Sequence, residues 1–172
     1  VYKRQSLHFK QLFDSISFFE FNDLYHEHVA YGTLNDSKGN PFKTREGGTK
    51  PLRELFDETY NYIKNINNTL NNSTITHLTN SVLTFSDLIT NRKTDYKFDL
   101  EKFTNVNGKT GIYIQYSQVR AKKLIETIDN HKEEIKELVL NKTDKQLLSK
   151  LFLFSHYLEQ SALLNEPHHL AE

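Results

Sequence analysis

The run Asn107-Gly108-Lys109-Thr110-Gly111-Ile112-Tyr113-Ile114-Gln115-Tyr116 decides how the rest of the chain is read. Asn-Gly is a turn dipeptide, because both residues tolerate positive φ, and here it interrupts helical periodicity on either side. A boundary at Asn107 therefore divides residues 1–107 from residues 108–172. Downstream, apolar residues return at helical spacing in three stretches, residues 113–128, 131–140 and 144–164. The last of these carries Leu147, Leu151, Phe154, Leu158 and Ala162 in register. Asn165-Glu166-Pro167 then opens a further helix, with Pro placed where a first turn accepts it. Upstream of the boundary, residues 91–99 are polar and poorly periodic and read as an extended connector. Before them comes a helix over residues 74–89, with Leu78, Val82, Phe85 and Ile89 on one side. A longer helix starts at Leu52, carries Leu52, Leu55, Phe56, Ile63, Ile66 and Leu70, and ends in the Asn-rich residues 67–73. Nearer the start, His28-Val29-Ala30-Tyr31-Gly32-Thr33-Leu34 alternates as a short strand. Phe9, Leu12, Phe13, Ile16 and Phe19 mark an amphipathic helix of about four turns running from Ser6. The expected fold class is mostly α with a small α/β portion, and there is no internal repeat.

The chain has 172 residues, the size of one ordinary domain or two incomplete ones. It holds 22 Lys plus Arg and 22 Asp plus Glu, so any contact with nucleic acid must rest on local clusters of cations. The absence of Cys excludes disulfide frameworks, thiolate nucleophiles and cysteine zinc sites. No apolar run approaches the ~20 residues of a membrane span, and Val1-Tyr2-Lys3-Arg4-Gln5 lacks the apolar core of a signal peptide. A cytoplasmic chain with no membrane partner is expected. It opens without Met and stops at His168-His169-Leu170-Ala171-Glu172, so both ends read as cut.

Chemistry concentrates first in the glycine-and-cation loop Lys43-Thr44-Arg45-Glu46-Gly47-Gly48. Glycines let backbone approach a polyphosphate, and Lys and Arg neutralise charge that builds as a phosphate ester forms or breaks. A solvated surface turn would have the same composition. Further along, Tyr113 and Tyr116 fall three apart on one helical face, with Gln115 beside them and Arg120 one turn on. Rings on which bases stack, flanked by cations that meet phosphates, hold single-stranded RNA loops. The alternative is that both tyrosines belong to a helical core. His168-His169 reads as a solvated pair: adjacent helical residues diverge, no carboxylate is seen at ligand spacing, and no metal is expected.

Four blocks together carry a family resemblance. The run from Gly39 to Gly48 resembles the signature loop of the arginyl-tRNA synthetases, a class I family, in their bacterial form. Gln5-Ser6-Leu7-His8-Phe9-Lys10-Gln11 is similar to the segment that lines the family's amino-acid and ATP pocket. Asp95-Tyr96-Lys97-Phe98-Asp99 resembles the segment that closes the region after the loop. Gly108-Lys109-Thr110-Gly111-Ile112-Tyr113-Ile114-Gln115-Tyr116 is similar to the motif that opens the anticodon-binding helices.

The resemblance implies a remnant of a Rossmann-like class I catalytic domain, with the loop 39–49, followed by part of a helical anticodon-binding bundle. It implies ATP-dependent esterification of arginine to tRNA(Arg) through an arginyl-adenylate, with ATP and Mg2+ as substrate and no permanently bound cofactor. Lys43 and Arg45 would be catalytic. Gln5, His8, Thr44 and Gly47 would bind arginine or ATP, and Tyr113, Gln115, Tyr116 and Arg120 would meet the tRNA. The complete enzyme is expected to be monomeric, and this piece is expected not to aminoacylate alone, since the family's histidine motif and N-terminal tRNA-binding domain are absent from it. Three features depart from the family pattern. The class I lysines fall on Pro41 and Thr44, Ile112 stands where Pro is usual, and residues 1–4 replace an apolar strand. Two readings from other classes stand beside this one, a non-catalytic helical RNA-binding module derived from a synthetase and a protein-interaction bundle.

Overall fold

The computed structural model describes residues 2–20, 24–35, 51–129 and 139–172. Among them the order is α1 (Tyr2–Phe18), β1 (Leu34–Asn35), α2 (Leu52–Ile66), α3 (Asn72–Leu88), β2 (Tyr96–Lys97), α4 (Leu100–Phe103), α5 (Gly111–Asp129), α6 (Lys142–Leu163) and α7 (His168–Ala171). The mostly helical class is as expected. The second of the three helical stretches expected past Asn107, residues 131–140, lies almost wholly outside the described residues.

The core is a seam between α2 and α3. Ile63, Ile75, Val82 and Phe103 are buried in it, with Tyr60, Leu70, Leu78, Ile89, Phe98 and Ile112 packed around them. Three of the most buried side chains are hydroxyls, Thr59, Thr79 and Ser86. Each bonds back to its own helix: Thr59 Oγ1 donates to Leu55 O at 2.8 Å, Thr79 Oγ1 to Ile75 O at 2.8 Å and Ser86 Oγ to Leu83 O at 2.9 Å. Burial therefore leaves none of these three hydroxyls unsatisfied, while the small side chains let the helix axes approach. This corrects the sequence expectation for α3. The face turned inward is Ile75, Thr79, Val82 and Ser86, whereas Leu78, Phe85 and Ile89 flank it, half-buried. In α2, likewise, Leu52 and Ile66 are exposed.

The strand expected over residues 28–34 forms a ladder only at its end, where Leu34 pairs with Tyr96 and Asn35 with Lys97 in parallel. The residues before it are held instead by rings of α1. Phe9 stacks on His28 at 4.5 Å and Phe13 on His26 at 5.5 Å between centroids. The expected connector, residues 91–99, supplies the partner strand. Beyond it Asp99 Oδ1 accepts the Lys102 N–H at 3.0 Å and caps α4, which the sequence reading missed because four residues show no period.

Past Asn107, Gly108 takes φ +99°, the left-handed conformation the Asn-Gly signal implies. α5 then packs back onto α3, and α6 packs with α7. The contact with α3 is close at Gly111, where a Cβ would overlap the Ser81 carbonyl and lie 3.1 Å from Phe85 Cβ. α6 is held at its start by a capping box between Asn141 and Asp144. None of its described side chains is buried, and Leu147, Leu151, Phe152 and Phe154 are largely exposed.

Candidate functional site

Lys43, Thr44, Arg45 and Gly47, with the whole of residues 39–49, lie outside the described residues. The frame on either side of them is described. β1 leads into this segment and Pro51, at the N-cap of α2, follows it. Between these elements lies an open, mainly apolar cleft of about 570 Å3 among the described residues, lined by Tyr31, Gly32, Leu52, Leu55, Ser86, Asp87, Tyr96 and Phe98 among others. The Tyr96 hydroxyl donates to Asp87 Oδ1 at 3.0 Å. Burial, and then the Asp87 carboxylate, push the Tyr96 phenol up, so it stays a neutral donor. These groups can bind and orient a ligand; chemistry on it would have to come from other residues.

Asp95, just before β2, fixes the strand pair. Its Oδ1 accepts the Thr33 N–H at 2.6 Å and the Thr33 hydroxyl at 2.7 Å. Those two bonds, the backbone one first, hold the Asp95 carboxyl below the usual carboxylate range. Gly32 is required beside it, because a Cβ there would run into the Thr94 carbonyl.

Gln5 and His8 are both exposed on α1. His8 meets Phe9 edge-on at 5.8 Å, and neither residue lines the cleft. The residues expected to meet RNA are divided by α5. Thr110 Oγ1 accepts the Tyr113 N–H at 3.1 Å in the manner of an N-cap, which starts the helix and sets its rotation. Tyr113 and Tyr116 are then exposed at 43% and 49%, so neither is a core residue. Arg120 lies over the Tyr116 ring at 5.5 Å from its centroid, a cation–π pair on the outer face. Gln115 faces the other way: it is half-buried, and its Nε2 donates to Ser81 Oγ of α3 at 3.1 Å.

A second cleft, about 450 Å3, was not anticipated. Lys109, Lys150, Phe154, Tyr157, His169, Leu170 and Glu172 line it. Lys150, Phe154 and Tyr157 recur at helical spacing on α6, a cation-and-ring stripe of which only Phe154 was singled out in the sequence, as part of the apolar face.

The α6–α7 corner corrects another expectation. Asn165 takes φ +52°. The Glu166 N–H donates to Ser161 O at 3.0 Å and the Asn165 N–H to Ala162 O at 3.3 Å, a Schellman turn that brings residue 166 back beneath the helix end. His168 and His169 are half-buried, not solvated, and a carboxylate does stand beside them: Glu166 Oε2 is 3.1 Å from His169 Nε2. Ligand atoms of Glu166, His168 and His169 lie within 4.8 Å of one another, close enough to share a metal ion. The same Glu166, however, holds the Lys93 ammonium at 2.6 Å, with the Arg92 guanidinium at 3.9 Å. These cations, Lys93 first, keep its carboxyl below the usual range and neutralise what a metal would need. Among the described residues no helix is long and apolar enough to cross a membrane.

Residues 1–100 match the family described as tRNA synthetases class I (R), catalytic domain. The chain is 38% identical over its whole length to the arginine–tRNA ligase of Francisella tularensis subsp. novicida, of which it covers 32%. It is 30% identical over 96% of its length to the arginine–tRNA ligase of a Shewanella species, covering 30% of that protein. It thus spans about a third of the length of these curated relatives. Among solved structures, the arginyl-tRNA synthetase of Thermus thermophilus superposes over 84% of this chain and 24% of its own, with TM-score 0.66 and 20% identity, a likeness of fold.

Proposed function

We infer the function from a plain premise: this chain belongs to the class I tRNA synthetases of the arginine type. We read it as the part of an arginine–tRNA ligase that joins the end of the catalytic domain to the first helices of an anticodon-binding domain. The complete enzyme would attach arginine to tRNA(Arg) through an arginyl-adenylate, with ATP and Mg2+ as substrate, as a monomer in the cytoplasm. The 38% identity to an arginine–tRNA ligase along the whole chain carries the reading. The piece alone would not aminoacylate.

Lys43 and Arg45 would stabilise charge on the phosphates, Thr44 and Gly47 would approach ATP, and Gln5 and His8 would serve arginine and the adenylate. Tyr113, Tyr116 and Arg120 would form the surface for the anticodon loop, with Gln115 holding that helix to α3 from behind. The lysines and rings of the α6 cleft would extend this surface, since ammonium groups beside aromatic faces suit a nucleotide.

The test grafts this chain over the matching third of the Francisella enzyme and measures arginine activation and tRNA charging. Both should survive. In the active graft, Arg45→Ala should slow adenylate formation about 10²-fold, the scale of losing one stabilising donor, with tRNA affinity unchanged. Equal losses in both would show the loop to be assigned wrongly. A graft that binds tRNA without charging it would favour the non-catalytic RNA-binding module.

A further inference from the structure

Residues 91–95 touch two parts of the molecule at once. On one side they hold the strand that runs into residues 36–50. The Gly32 N–H donates to Arg92 O, Thr33 donates twice to Asp95 Oδ1 at 2.6 and 2.7 Å, and the Tyr96 N–H donates to Thr33 O at 3.1 Å. On the other side they hold the α6–α7 corner. Arg92 Nε donates to Asn165 O at 2.7 Å and its Nη2 to Leu164 O at 3.2 Å, where the end of α6 presents unpaired carbonyls and the negative pole of its dipole. Lys93 closes on Glu166 at 2.6 Å. Arg92 spans the two sides by itself, since its Nη1 donates to Ala30 O.

Among the described residues the segment has one further side-chain contact with the corner, Asn91 Nδ2 to His168 Nε2 at 3.4 Å. Its internal bonds form a single turn, from the Thr94 N–H and hydroxyl to Asn91 O at 2.9 and 2.8 Å and from the Lys93 N–H to Asn91 Oδ1 at 2.9 Å. The ladder that follows is two residues long, and so short a pair has little stability of its own. The position of residues 91–95 is therefore set by its contacts on both sides. The Glu166 side chain, 9% accessible, is the anionic anchor of the corner contacts.

We propose that Glu166 is a positioning residue for the reaction: through Lys93 and Arg92 it fixes residues 91–95, and these fix the strand from which residues 36–50 depart. The α6–α7 corner and the strand pair of β1 and β2 are then one mechanical unit, and a change at the corner is felt at the strands. The link to catalysis rests on the family reading of residues 39–49. The link between corner and strand rests on the geometry alone.

The first test uses this chain as it stands, with amide exchange measured residue by residue. Glu166→Gln keeps the shape and removes the charge. The amides of Gly32, Thr33 and Tyr96 should exchange about tenfold faster, the scale of losing one charge-assisted contact. Faster exchange confined to residues 161–172, with Gly32 and Thr33 unchanged, would overturn the proposal. Should Glu166→Gln fail to fold, the coupling is read in reverse, because linkage is reciprocal. Thr33→Ala should then loosen the Glu166 and His169 amides, and unchanged protection there would overturn the proposal equally. In the Francisella graft, Glu166→Gln should lower kcat for charging about tenfold with KM for tRNA unchanged. A raised KM with normal kcat would assign Glu166 to RNA binding instead. An inactive parent graft would count against the family reading and leave the exchange result standing.

Discussion

Tyr116 shows what a single side chain contributes to the proposed RNA surface. The ring is half-exposed, backed by its own helix, with Arg120 above it. Stacking of a base on such a ring is worth about 1–3 kcal/mol by alanine substitution, so Tyr116→Ala should weaken tRNA charging roughly ten- to a hundredfold in the active graft. Arginine activation should be untouched; a loss in both would mean that the ring supports the fold. Gly111 makes the opposite case, a residue defined by what cannot be added to it. A methyl group there overlaps the Ser81 carbonyl of α3, and helix backbone cannot yield as a side-chain tip can. Gly111→Ala should cost about 1–3 kcal/mol, read as a fall in the urea midpoint of the chain, despite alanine's better helix propensity. A raised midpoint would show that α5 does not sit this close to α3.

Elements of the molecule differ in how far their stability is shared, and their caps expose the difference. Asn71 Oδ1 accepts the Thr74 N–H at 2.8 Å and starts α3, which lies in the core. Asn141 and Asp144 cap α6, whose described side chains are not buried. Each cap should be worth about 1 kcal/mol locally. Asn71→Ala should therefore lower the global unfolding midpoint, whereas Asn141→Ala should speed amide exchange in the first turn of α6 and leave the midpoint nearly still. Equal shifts in both would mean that α6 is packed as tightly as α3. The elements were legible in sequence where period and punctuation agreed. α2, α3, α5 and α6 all fall within a few residues of their expected spans, and the Asn-Gly turn lies where it was read. What was not legible depended on long-range contact. Thr79 and Ser86 look polar in the sequence and become central because a close helix crossing selects small side chains. The strand at residue 34 depends on a partner that sequence alone reads as a connector, and α4 is too short for any period. At the site, the exposed tyrosines were legible as a face. The Gln115 bond to α3 and the carboxylate beside His169 were not, since each depends on a turn or a neighbouring helix.

At the scale of the whole molecule, Asp95 on Thr33 and Glu166 on Lys93 are among the carboxylates that join distant parts of the chain, and both have folded-state pKa values below their ordinary ones. A lowered carboxyl pKa contributes stability that is complete above the unfolded value and is lost as pH falls through the folded one. The unfolding midpoint should thus hold from pH 7 to about 5 and fall below about 4, where carboxylates ordinarily take up protons. Asp95→Asn should lower the midpoint at pH 7 and flatten the acid fall. A decline beginning between pH 7 and 6 would place the linkage on histidines instead. The parallel strand pair has a further consequence, one of time. Thr33 and Asp95 are 62 residues apart, and closing a loop of that length costs about 4 kcal/mol in chain entropy, more than two ladder residues offset. The α2–α3 hairpin must form first and draw the two ends together. During refolding the strands should pair last, after helix formation is complete, and on unfolding they should be the first to part.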